Sequence, residues 1–158
     1  MELVLAYDRL SEFMELVTEY TNSILEHGDD VKQCLNSQNL DAEIKDLQSK
    51  YGLPYGRLYL ALEGGRAAGC VALTGNDDDY CEIKRLYVRP EFRGRQLSKM
   101  LTKQVIHDAK SIGYKHVRLD TFPFMDRAIK LYERFGFYYI DRYNDNPAKT
   151  AVFMQLDL

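Results

Sequence analysis

This chain has little basic charge, few cysteines and no long apolar run, and each shortage removes a class of function. Its 21 Lys and Arg are outnumbered by 24 Asp and Glu, for a net charge of −3. Without a basic excess to neutralise phosphates, nucleic acid is not expected as a partner. The slight acidity suits a cationic substrate such as an amine, although a charge this small decides little. The three cysteines, Cys34, Cys70 and Cys81, are odd in number and form no CxxC pair. They read as reduced, mostly buried thiols of a cytoplasmic protein. The histidines, His27, His107 and His116, show no ligand spacing, so no metal site is expected. No apolar stretch approaches membrane-spanning length, and nothing at the start reads as a signal peptide, so no membrane partner is expected. No repeat, linker or low-complexity segment divides the 158 residues. One domain over residues 1–158 is expected, large enough for its own core.

What the chain does have is a change of period. Glu2 to Ala6 reads as a strand. From Asp8, apolar Phe13, Leu16, Val17, Tyr20 and Ile24 recur at helical spacing until Gly28. Asp29 to Ser49 is a second, polar helical region with a thin stripe of Val31, Leu35, Ile44 and Leu47, closed by Gly52 and Pro54. Arg57 to Glu63 and Ala67 to Thr74 are strands joined by Gly64-Gly65, a two-residue hairpin turn. Cys81 to Val88 is a third strand of this antiparallel meander. A helix stripe runs through Leu97, Leu101, Val105 and Ala109 to Gly113. His116 to Asp120 is a strand placed to pair parallel with the one before that helix. Met125 to Phe135 is a short helix, and Phe137 to Tyr143 and Ala151 to Leu156 are the last strands. The order predicts an α+β domain built on one mixed sheet.

Residues 88–101, VRPEFRGRQLSKML, carry the strongest functional signal. A strand ends at Pro90, passes through an Arg/Gly turn and opens directly into a helix. Such a junction aims several backbone N–H groups and the positive end of a helix dipole at one spot, which suits a phosphate or pyrophosphate. An arginine-rich solvated turn is the plainer reading.

Two motifs together settle that choice. Arg93-Gly94-Arg95-Gln96-Leu97-Ser98 resembles the pyrophosphate motif of the GNAT superfamily of N-acetyltransferases, which reads Arg/Gln-x-x-Gly-x-Gly/Ala. Ala128-Ile129-Lys130-Leu131-Tyr132, followed by Gly136-Phe137, resembles a second signature of the same family, and the element order agrees over residues 55–140. The sequence departs from the pattern at Gln96, Ser98 and Met125. A side chain at 96 limits close approach to the backbone and must point away from the phosphates.

The resemblance implies a GNAT-like, mostly antiparallel sheet of about seven strands and transfer of acetyl from acetyl-CoA to an amine. It implies that Arg93, Gly94, Arg95, Gln96, Leu97 and Ser98 hold the pyrophosphate, the backbone donating while Arg93 and Arg95 add charge. It implies that Leu86, Tyr87 and Val88 pair with the pantetheine arm, freed by a splay from the next strand and re-aimed by a β-bulge near Arg85 or Leu86. Glu82 is the candidate general base, because an alkylammonium cannot attack until it loses a proton. Its competing reading is an ion pair with Lys84 or Arg118. Tyr132 is the candidate general acid for the departing CoA thiolate, against a plain core tyrosine. Tyr138, Tyr139 and Tyr143 could line a substrate cleft, but aromatic residues in strands are usually packing; the loop from Asn144 to Pro147 could shape an acceptor pocket. The expected acceptor is a small-molecule amine. A protein or peptide amine, a non-catalytic acyl-CoA-binding module and a homodimer are alternatives left open.

Overall fold

Period-two alternation along residues 57–63, 66–75 and 80–88 sends apolar side chains to both faces, as a sheet covered on two sides requires. The structure is a computed structural model and describes residues 1–28, 32, 42 and 45–158. Its strands are β1 (Glu2–Leu5), β2 (Arg57–Glu63), β3 (Arg66–Gly75), β4 (Tyr80–Val88), β5 (His116–Thr121), β6 (Tyr138–Ile140) and β7 (Val152–Asp157). They form one 7-stranded sheet in the order β1-β2-β3-β4-β5-β7-β6. β4 and β5 run parallel, and the other described pairs are antiparallel. The helices are α1 (Leu10–Leu25), α2 (Leu47–Tyr51), α3 (Leu97–Ile112) and α4 (Asp126–Phe135), with a 3-10 turn at Pro90–Phe92. The predicted mixed, mostly antiparallel α+β architecture is what is found.

Each face has its own core. Leu58, Leu60, Cys70 and Ala72 pack against Phe13, Leu16 and Val17 of α1 and Tyr51 of α2. Val71, Leu73, Cys81 and Ile83 pack against Leu101, Val105 and Ala109 of α3 on the other side. Gly64 and Gly65 take φ of 57° and 81°, the left-handed pair that the hairpin turn needs.

Two boundaries differ from the sequence reading. The strand expected over Phe137 to Tyr143 pairs only through Tyr138, Tyr139 and Ile140. Beyond them the Arg142 guanidinium donates to the carbonyls of Asn146 and Ala148, which turns the chain into a loop and carries Tyr143 inward. Most of the polar helical region from Asp29 to Ser49 lies outside the described residues, as do Val31, Leu35, Ile44 and Cys34. Its last part forms α2, where the Asp46 carboxylate accepts from Ser49 N at 3.2 Å as a helix cap.

Two irregularities in β4 position the site. Ala72 pairs with Lys84 but Cys70 pairs with Tyr87, so β4 carries one extra residue, and Arg85 sits at φ 59°. This bulge falls where it was expected. It rotates the strand so that Tyr87 faces α1 while Cys81, Ile83 and Val88 face α3. The β4–β5 ladder is also brief, ending at Glu82↔Arg118, while β5 stays paired with β7 to Thr121. The two strands therefore splay, and among the described residues no strand pairs with that edge of residues 83–88.

Candidate active site

Two neighbouring cavities lie at the splay. The larger, about 880 Å³, runs from Leu86, Tyr87 and Val88 past the turn at 93–98 to α4. The smaller, about 50 Å³, lies between Ile83–Leu86 and Leu119–Phe122. Tyr20, Ile24, Leu86, Met125 and Ala128 line both. Arg89 holds α1 against this region, its Nε 2.8 Å from Glu19 Oε2 and its NH1 donating to Ala67 O.

The turn is built by packing on one side and backbone conformation on the other. Phe92 is buried, with the Arg66 and Arg95 guanidiniums over its ring at 5.3 and 5.6 Å. Arg93 Nε donates to Val88 O at 3.1 Å and ties the turn to the end of β4. Gly94 and Gln96 both take positive φ, 80° and 68°, and curl the backbone before the buried Leu97 starts α3. The first turn of a helix leaves N–H groups without intrahelical acceptors, so this curl faces the cleft with donors. Every candidate cofactor residue lines the larger cleft except Arg95, which lies over Phe92.

Lys99, Arg127, Lys130 and Arg134 also line this cleft. The sequence reading passed over them, although Arg127, Lys130 and Arg134 recur at i, i+3 and i+7 and so share one helical face.

Tyr132 is 6% exposed, packs against Phe137 at 5.5 Å between ring centroids, and lines the smaller cavity. Burial, and then the neighbouring Tyr20, push its phenol far above the ordinary tyrosine value, so it stays protonated.

Glu82 stands in neither cavity wall. Its Oε1 accepts from Asn76 Nδ2, and its Oε2 accepts from Tyr143 OH at 3.1 Å and faces Lys84 Nζ at 3.1 Å. Of the two expected ion-pair partners, Lys84 takes this carboxylate. Arg118 instead bonds Gln155 Oε1 at 2.7 Å and stacks between Tyr80 and Tyr143. Lys84 continues to Asp120 Oδ1 at 3.5 Å, and Asp120 Oδ2 accepts from Asn144 Nδ2 at 2.9 Å and Asn146 Nδ2 at 3.4 Å. Lys84, Asp120 and Asn146 line the smaller cavity, so Glu82 and Tyr132 meet it by different routes, Tyr132 directly and Glu82 through Lys84.

Lys84 and Asp120 support each other's charge. Burial acts to lower the Lys84 value, but Asp120 and Glu82 outweigh it and hold the ammonium above its ordinary value. Burial would likewise raise the Asp120 carboxyl, but Lys84 and the two asparagine amides outweigh it and hold it below. Tyr143 belongs to this network. Tyr138 and Tyr139 do not, since the first bonds Asp157 and the second is exposed beside Glu133. Sequence reasoning missed Asp120 as a site residue. The available signal was period two, which puts Glu82 and Lys84, and across the ladder Arg118 and Asp120, on one face. Among the described residues no His, Cys, Asp and Glu group is suited to a metal, and no helix is long and apolar enough to cross a membrane.

Comparison with known proteins agrees with this geometry. The sequence profile of the acetyltransferase (GNAT) family matches residues 15–137. An uncharacterized N-acetyltransferase of Schizosaccharomyces pombe is 40% identical over 151 residues, covering 94% of this chain and 88% of its own. An acetyltransferase from Streptococcus agalactiae superposes with a TM-score of 0.82 at 21% identity, over 99% of this chain and 98% of that one. A GNAT family acetyltransferase from Elizabethkingia anophelis, solved with acetyl-CoA bound, superposes with a TM-score of 0.59 at 26% identity, over 72% of this chain and 83% of that one.

Proposed function

Because this chain belongs to the GNAT acetyltransferase family, we propose that its larger cleft takes acetyl-CoA and its smaller cavity brings a small amine to the thioester. The chain is an acetyl-CoA-dependent N-acetyltransferase, acting by direct attack within a ternary complex. One observation carries the site assignment: the open edge at Leu86, Tyr87 and Val88 leads without interruption to the donor-rich turn at 93–98. An extended pantetheine arm needs such an edge, and a pyrophosphate needs such a turn. A cleft of about 880 Å³ with cations on α3 and α4 suits a large, multiply phosphorylated thioester.

In this reading the backbone at Leu86 to Val88 binds the arm, and one of these N–H groups receives the oxyanion of the thioester carbonyl. The turn from Arg93 to Ser98 receives the pyrophosphate. Arg95 contributes by stacking on Phe92 and adding charge behind the turn. Glu82 accepts the amine's proton through a water, while Lys84 stays an ammonium that positions the carboxylate. The amine lone pair then attacks the carbonyl carbon, the C–S bond breaks, and Tyr132 hydrogen-bonds or protonates the leaving thiolate. The small second cavity supports a small-molecule acceptor over a peptide, which would need an open groove. The buried Cys70 and Cys81 thiols support a cytoplasmic location, and the whole chain is proposed to work as one domain.

Acetyl-CoA-dependent release of free thiol across amino acids, polyamines, aminoglycosides, arylalkylamines and short peptides tests this reading. Turnover of at least one small amine is expected. Absence of acetyl-CoA binding by calorimetry would overturn it.

A further inference from the structure

We propose that Asp120 docks the acceptor as a cationic primary amine, an alkylammonium or amino acid, rather than as an arylamine or another neutral nucleophile. The proposal rests on the acetyl-CoA assignment above and adds the group that the acceptor meets.

Position comes first. Asp120 shares the wall of the smaller cavity with Leu86 and Tyr132, so a group docked there stands where the open edge of β4 ends. Its side chain is 8% exposed, which removes competing water and strengthens a charge contact.

Valence comes second. Lys84 occupies one oxygen and the Asn144 and Asn146 amides share the other. A carboxylate offers about four acceptor sites, so an incoming N–H finds one remaining. Glu82 has as many partners, Asn76, Tyr143 and Lys84, but it stands outside the cavity wall, so the acceptor meets Asp120 there.

Charge comes third. Within the chain Glu82–Lys84–Asp120, two carboxylates share one ammonium, and a cation docked on Asp120 completes the balance. Arg85, the other cation of this wall, is itself partnered.

The test is an NMR titration of the full-length protein saturated with CoA, using propylammonium chloride and, as the uncharged control, 1-propanol. In the wild type, amide signals of Asp120 and Thr121 shift saturably with propylammonium and not with propanol. Asp120→Asn weakens propylammonium about tenfold or more, the size of a hydrogen bond to a charged group. Asp120→Glu recovers part of the affinity. Equal affinities for wild type and Asp120→Asn, or equal responses to propanol and propylammonium, overturn the proposal. If Asp120→Asn does not fold, the two wild-type titrations decide alone. CoA is read separately from the Gly94 and Leu97 amides, so failure of the cofactor site is seen before any amine is added.

Discussion

Lys84 Nζ lies 3.1 Å from Glu82 Oε2, and the two side chains, 10% and 6% exposed, share one face of β4. Two residues apart on a strand, they share a face by geometry alone, but they become a network only because Asp120 meets the same ammonium from β5.

Glu82→Gln keeps the shape and removes the carboxylate proposed as base. Turnover should fall about a hundredfold, within the range of lost general-base catalysis, with acetyl-CoA affinity unchanged. The deficit should deepen at low pH, where the neutral amine is scarcest. A mutant profile parallel to wild type from pH 6 to 9 would remove Glu82 from the mechanism.

Tyr132→Phe removes one hydroxyl from a packed ring. Turnover should drop by about ten- to a hundredfold, while calorimetry gives the same acetyl-CoA affinity. Because burial holds the phenol protonated, Tyr132 should produce no loss of activity on the alkaline side below about pH 10. Unchanged turnover would leave Tyr132 as a core residue.

Asp120 is held below its ordinary value of 3.8. A depressed carboxyl contributes stability that is present above the unfolded value and lost as pH falls through the folded one. Urea midpoints of the wild type should therefore drop below about pH 4 more steeply than those of Asp120→Asn. At pH 7 the variant should be less stable by about 1–3 kcal/mol, since Lys84 keeps Glu82 but the carboxylate's bonds are lost. Parallel pH curves would show that the network gives Asp120 no linked stability.

Gln96 occupies the left-handed region at the start of α3, where the family motif has glycine. Gln96→Gly should stabilise the fold by about 1 kcal/mol by relieving a conformation that costs side chains about that much. The melting temperature should rise by about 2–4 °C. A lower melting temperature would mean that the Gln96 side chain contributes more than its backbone costs.

Burial pushes the Cys70 and Cys81 thiols up to about 12. Iodoacetamide should leave both unmodified in the native protein and label both after denaturation, read by peptide mass spectrometry. Rapid native labelling of either would contradict the packing around β3 and β4.

Much of the sheet was legible because its signals are local. Alternation along Arg57–Glu63 and Arg66–Gly75, the Gly64-Gly65 turn and the stripe through Leu97, Leu101 and Val105 each report a preference acting within a few residues. The turn at 93–98 was legible for the same reason. The end of β6 was not, because it depends on Arg142 finding the carbonyls of Asn146 and Ala148. The bulge at Arg85 was expected from family resemblance, since nothing in the letters around it marks a positive φ.

By itself the sequence determined the element order, the two covered faces of the sheet and the Arg/Gly turn that opens α3, all of which follow from periodicity and turn chemistry. Tertiary structure alone decided which charges meet. Lys84 chooses Glu82 and Asp120 while Arg118 is taken up by Gln155 and two tyrosine rings. Residues 82, 84, 118, 120 and 144 come from three segments, and their distances follow from where the β4–β5 ladder stops. That stopping point is set by strand twist and by packing on both faces, which no local stretch encodes.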